Sequence, residues 1–298
     1  MPPPLSPDAL SVTLRALALC TLFQAAGATF FLVLLLPRSG ASWPAVRRLA
    51  LAAALGATLL ALAHQALEAA RMAGDYSGLW DLELQALGWR SRPGRSTLAQ
   101  VTGLLIMLLS LWRLPTAART PARAADLCAW AGGALALCAL LMTGHTSAHA
   151  SRAILAPLLG LHVLVVAFWF GALWPLLLVI RRDSATAAAR IAARYSALAG
   201  YLVPLIAVAG VAMAWILTGG PAIFRRPYGE LLLLKLLLFG LLMLLAARNK
   251  WRLVPALATP ATAAGARIAL RRSVIGEFLL IAMVLTVTAT LTTLYSPH

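Results

Sequence analysis

Apolar residues run through this chain in long blocks, and polar residues collect in the short gaps between them. Eight blocks can be drawn, at roughly 11–36, 46–73, 96–113, 126–145, 152–180, 192–218, 228–247 and 269–294. Most reach the roughly 20 apolar residues that a helix needs to cross a hydrocarbon core about 30 Å thick; the third is the shortest. Helix breakers stand between them: Pro37 to Gly40, Pro93–Gly94, Pro115, Gly219–Gly220–Pro221, and Pro255 to Pro260. The pattern predicts an all-α fold: a polytopic membrane helical bundle of about eight transmembrane helices, one domain over residues 1–298, with the lipid bilayer as its solvent.

Composition sharpens this reading. The chain is 61% hydrophobic and only 11% charged, whereas a soluble domain is about a quarter charged. A net charge of +16 would point to nucleic acid in a soluble protein. Here the basic residues sit between the apolar blocks, so no nucleic-acid partner is expected and the charge reports topology. Loops 1–2, 3–4, 5–6 and 7–8 hold 16 of the 25 Lys and Arg residues. That side is predicted to be cytoplasmic, and both termini then face the periplasm. The start of the chain lacks a basic region ahead of its first apolar block, so no removable signal peptide is expected. Cys20, Cys128 and Cys138 all lie inside apolar blocks, which argues against a disulfide framework.

With this orientation, residues 74–96 form the longest external loop. Its stretch SGLWDLELQALGWR carries Trp80, Leu84 and Leu87 at helical spacing, with Asp81 and Gln85 elsewhere. It predicts either an amphipathic helix lying in the interface or a docking surface for a periplasmic partner.

The chemistry concentrates near the end of span 4. Cys138, Met142, His145 and His149 are spaced four, three and four residues apart, which on one continuous helix places them within an arc of roughly 60°. Thiol, thioether and imidazole suit a soft metal, Cu(I) above all, with Cu(II) as the alternative. The competing reading is that the histidines cap a helix end while Cys138 and Met142 pack. Span 2 holds a second stripe, His64, Glu68 and Met72, within roughly 80° of arc. Glu68 either orients or supplements His64, or pairs with Arg71 or Arg152. His162 sits deepest, in a strongly apolar run, where a neutral imidazole needs a metal or a hydrogen-bond partner. Met213 lies in the outer half of span 6, and Met107 and Met243 in the inner half. Lys235 is expected to snorkel outward or pair with Glu230 or another carboxylate, and Glu277 lies near the inner end of span 8. There is no P-loop, CxxC pair, HExxH run or recognisable Ser/His/Asp arrangement, so no enzymatic activity is expected.

The run GHTSAHASRAILAPLLGLHVLVVAFWFGALWPLLLVI resembles the central segment of the bacterial copper-resistance D (CopD) family. The resemblance rests on a histidine-bearing external turn, the pair Leu161–His162, and then Trp169, Gly171, Leu173 and Trp174–Pro175–Leu176. The opening RALALCTLFQAAGATFFLVLL and the later RYSALAGYLVPLIAVAGVAMAWIL, YGELLLLKLLLFGLLMLLAARNKWRLVP and LRRSVIGEFLLIAMVLTVTATLTT are similar to it as well. The resemblance implies a multi-pass protein of the bacterial inner membrane that moves copper between periplasm and cytoplasm, usually inward. It also implies a periplasmic CopC-like copper chaperone, here a separate protein. It carries His145, His149 and His162 over as metal residues, and His64 less firmly. The expected function is copper uptake through an outer site built from His145, His149 and Met142, with His64 or Met72 opposite and His162 passing the ion inward. Two alternatives stay open: a haem-bearing redox protein using His64 and His162, and a copper-binding accessory or sensor protein that does not transport.

Overall fold

The computed structural model describes residues 6–114 and 123–295, which are helical almost throughout, with no strand among them. Eight long helices form the bundle: α1 (Pro7–Leu34), α2 (Trp43–Ala73), α3 (Arg92–Arg113), α4 (Arg123–Cys138), α5 (Arg152–Arg182), α6 (Ala185–Thr218), α7 (Pro227–Arg248) and α8 (Ala263–Leu294). A 3₁₀ turn, Ala139–Met142, continues α4; a π-helical turn, Asn249–Leu253, and a last turn, Val254–Leu257, continue α7. With these continuations, all eight are long and apolar enough to cross a membrane. Most start earlier than the apolar pattern alone suggests, and in α1, α3 and α6 a serine cap sets the first turn. Ser6 accepts from the Ala9 amide and Ser184 from the Ala187 amide, each at 3.3 Å. Gly74 (φ 83°) and Gly219 (φ 65°) end α2 and α6 in the left-handed conformation.

At the centre, α1 packs against α2, α4, α5 and α8. Lipid supplies no hydrophobic drive between helices, so close contact depends on small residues and hydrogen bonds. α1 and α5 meet at Gly27 and Gly171. A Cβ on either glycine would lie 2.6 Å from the other's Cα, so no other residue fits at this crossing. Pro175 adds to the joint: it has no amide hydrogen for the Gly171 carbonyl one turn back. Gln24 of α1 fills that vacancy, its Nε2 donating to Gly171 O at 2.8 Å. α3 and α4 cross in the same way at Gly103 and Gly132. On the periphery, α7 buries only Gly229, Leu238 and Leu242 and turns its other leucines to lipid.

The arginine-rich side is stitched by polar contacts. Arg38 holds Asp126 with bonds of 2.8 and 2.6 Å. Asp183 accepts from the Ser42 hydroxyl and, at 3.3 Å, from the Ser42 amide. On the opposite side the 74–96 loop forms a 3₁₀ turn, Tyr76–Trp80, and a helix, Leu82–Arg90. Hydrogen bonds from Ser77 hold the Asp75 carboxyl below its ordinary range. Trp80 falls in the turn rather than on the helix, because Asp81 caps the helix through the amides of Glu83 and Leu84. Trp80, Leu82 and Leu87 are the exposed apolar residues here. Gln85 bonds back to Ala66 O at 3.0 Å and anchors the loop on α2.

Candidate functional site

The four-residue stripe of span 4 is not on one helix. α4 ends at Cys138, Thr143 is extended, and Gly144 turns the chain at φ 81°. His145 then opens a single turn, His145–Ala148, and His149 is extended again. Cys138 is exposed on the bundle surface and Met142 is 41% exposed, so neither looks into the core beside the histidines. A spacing of four, three and four implies a shared face only while the helix continues, and a left-handed glycine ends it.

The two histidines of this turn differ. The His145 ring meets Tyr228 of α7 edge-on, 6.5 Å between centroids, and its buried Nε2 has no hydrogen-bond partner. His149 Nδ1 accepts from the Ser151 amide at 3.0 Å, at the start of α5. Nδ1 of His149 is thus engaged at the turn into α5.

His162 lies ten residues into α5, about 15 Å along the axis at 1.5 Å per residue. Its Nδ1 is buried without a hydrogen-bond partner. The ring packs beside Gly210 of α6, where an added Cβ would lie 3.7 Å from its Cε1. It also feels the Ile206 carbonyl and the Lys235 ammonium of α7. Ile206, Gly210 and Met213 share one face of α6, and Met213 is buried one turn nearer the C-terminal end of that helix. Among the described residues no carboxylate stands at ion-pair distance from Lys235, so the expected pairing with Glu230 does not form.

The span 2 stripe is engaged elsewhere. His64 Nε2 lies 3.2 Å from the Ser11 hydroxyl of α1 and 4.0 Å from Glu68. Glu68 holds Arg71 at 2.9 Å, and Arg71 reaches Asp8 at 2.9 Å. Met72 is 46% exposed and points toward Gly88 of the 74–96 loop. Among the described residues no three His, Cys, Asp or Glu side chains gather as a metal-holding group. His298 lies outside the described residues.

Of the other two methionines, Met107 is fully buried and accepts from the Thr29 hydroxyl at 3.3 Å, a packing role. Met243 lines a cavity together with Glu277. Around Glu277 the structure gathers residues that spacing did not single out: Trp169 Nε1 donates at 3.3 Å and Asn249 Nδ2 at 2.5 Å. Asn249 had a signal in the sequence, as the only asparagine of the chain, at the end of an apolar run. Tyr228 had none.

The arrangement is a set of separate imidazoles, two with an unpartnered nitrogen: His145 beside Tyr228 of α7, and His162 between Gly210 of α6 and the Lys235 charge of α7. Single neutral imidazoles bind a soft monovalent ion weakly and add no net charge in lipid. Comparison with curated proteins and with solved structures gives no match. Residues 189–291, which run from the second turn of α6 almost to the end of α8, match the family model of CopD, described as Copper resistance protein D. The matched stretch holds Met213, Lys235, Met243, Asn249 and Glu277, while His64, His145, His149 and His162 precede it. Over residues 189–291, about a third of its length, this multi-pass membrane chain is similar to the CopD copper-resistance family.

Proposed function

We propose that the protein carries copper across the bacterial inner membrane from periplasm to cytoplasm, with both termini periplasmic. Copper loads at His145 and His149 on the outer face, passes Met213, and reaches His162 about 15 Å deeper. Cu(I) suits these ligands best, with Cu(II) as the alternative state. A separate CopC-like chaperone is the expected donor.

The observation that carries this reading is the pair of buried, unpartnered imidazole nitrogens, His145 Nε2 and His162 Nδ1. A polar atom buried without a partner is costly, and both rings have a neighbour on α7, Tyr228 for His145 and Lys235 for His162. Weak sites in series let an ion enter and leave, whereas one strong site would trap it. Lys235 works in the same direction. Its charge beside His162 raises the energy of a resident cation and shortens its stay.

The test is copper binding to the purified protein and copper accumulation in cells, for the wild type and for His145→Ala with His149→Ala. Both should fall by about tenfold or more. Unchanged values in both reject the site. Binding without flux in proteoliposomes would replace transport with an accessory role.

A further inference from the structure

Glu277 is 3% exposed, near the inner half of α8, and Asn249 is 8% exposed beside it. Both donors to the carboxylate are neutral: the Trp169 indole of α5 and the Asn249 amide of the π-helical turn. Among the described residues no cation lies at ion-pair distance from it. A carboxylate at membrane depth needs a countercharge, and none is built in. A second observation points to a ligand: Asn249 Oδ1 is buried without a partner at the same place.

The site is also reachable. Glu277 and Asn249 line a cavity of about 220 Å³, room for several waters at about 30 Å³ each. A larger hollow of about 870 Å³ lies next to it, bordered by Arg190, Tyr201, Lys250 and Pro260. The two share Ser196, Lys250 and Val254 as a common wall. The large hollow sits against the arginine-rich ends of α6 and α8, so the route leads to the inner face.

We infer that Glu277 is an exchangeable proton-binding site opening to the inner face through this cavity, with Asn249 and Trp169 as positioning residues. In the exchange, one carboxylate oxygen forms an O–H bond with a proton from water in the cavity, and the reverse step returns that proton to water. A proton needs only one oxygen, whereas a metal would need several convergent ligands, and among the described residues Glu277 belongs to no group of three His, Cys, Asp or Glu side chains. The ionisable groups around it are few. α6 presents Tyr195, whose hydroxyl donates to Trp169 O at 3.3 Å and whose phenol feels the Glu277 charge. The π-helical turn presents Lys250, which lies across Gly200. On α8 itself, Arg271 and Arg272 stand more than a turn nearer the inner end. Beyond Arg15, α1 carries no charge and only the Cys20 thiol, and α5 and α7 offer Trp169 and Met243, both neutral. The inference does not depend on copper passing His162.

Infrared difference spectra of the intact protein in liposomes, recorded as the inner pH is stepped, test it. A carboxylic-acid carbonyl band should appear on acidification, disappear on alkalinisation, and be missing in Glu277→Gln. Trp169→Phe removes a donor to the ionised form, so the midpoint of the band should move about one pH unit higher. A band that persists in Glu277→Gln, or a carboxyl that does not titrate while the protein stays folded, overturns the proposal. So does a band abolished by Cu(I) alone but insensitive to pH.

Discussion

His162 and Trp169 lie seven residues apart on α5, two turns and about 10 Å along one face, yet their surroundings are opposite in kind. The outer imidazole has a buried nitrogen without a partner, a glycine beside it and a lysine charge nearby. The inner indole donates to a carboxylate that a second donor also holds, and its own carbonyl accepts Tyr195. The outer groups are loosely held and present a lone pair; the inner groups are tied to one another and present a negative charge. A transit site for a soft cation calls for the first arrangement, and a fixed station for a proton calls for the second.

Substitutions that separate binding from stability test this contrast most directly. His162→Ala should lower copper affinity by about 10–100-fold while leaving the detergent melting temperature close to wild type, because no hydrogen bond to Nδ1 is lost; a large drop in melting temperature would show that the ring is structural. Asn249→Leu should behave in reverse. It leaves Glu277 short of a donor, costs about 1–3 kcal/mol of stability in thermal unfolding, and leaves copper affinity at the outer histidines unchanged. Gln24→Leu strands the Gly171 carbonyl that Pro175 has freed, and should cost about 0.6–1.7 kcal/mol in the same assay. Lys235→Met should tighten copper binding by about fivefold, the equivalent of about 1 kcal/mol of relieved repulsion. Titration of copper against the variant checks it, and weaker binding would assign Lys235 a supporting role instead.

The eight spans were legible because length and hydropathy alone decide whether a helix crosses a bilayer. The end of α6 was legible from the Gly219–Gly220–Pro221 breaker, whereas its start, capped by Ser184 ahead of the apolar block, was not. The direction each helix faces was not. In water an amphipathic stripe marks the buried side, but in lipid both sides are apolar. Nothing in the pattern therefore distinguished Met107, fully buried, from Met142, which lies on the surface. The histidine turn misled for a different reason: GHTSAHA keeps helical spacing, and only the φ of Gly144 reveals that the helix has stopped. Glu277 stood out as an acid in an apolar run, but its partners could not be read, since Trp169 and Asn249 reach it across 108 and 28 residues of chain.

The crossing of Gly27 and Gly171 has a mechanical consequence. Backbone rests on backbone there, with no layer of side chains that could slide, and Gln24 pins the contact. α1 and α5 therefore move as one rigid beam. Any cycle that opens a path first to one side and then to the other must displace helices outside that beam. The movable wall is α7, the least buried of the eight, with a leucine surface for which one set of lipid tails is as good as another. The cavity beside Glu277 of α8 is lined by Trp169 from the beam and by Met243, Asn249 and Lys250 from α7 and its continuation. A shift of the wall would change the ion's path and the carboxylate's access to water in a single stroke.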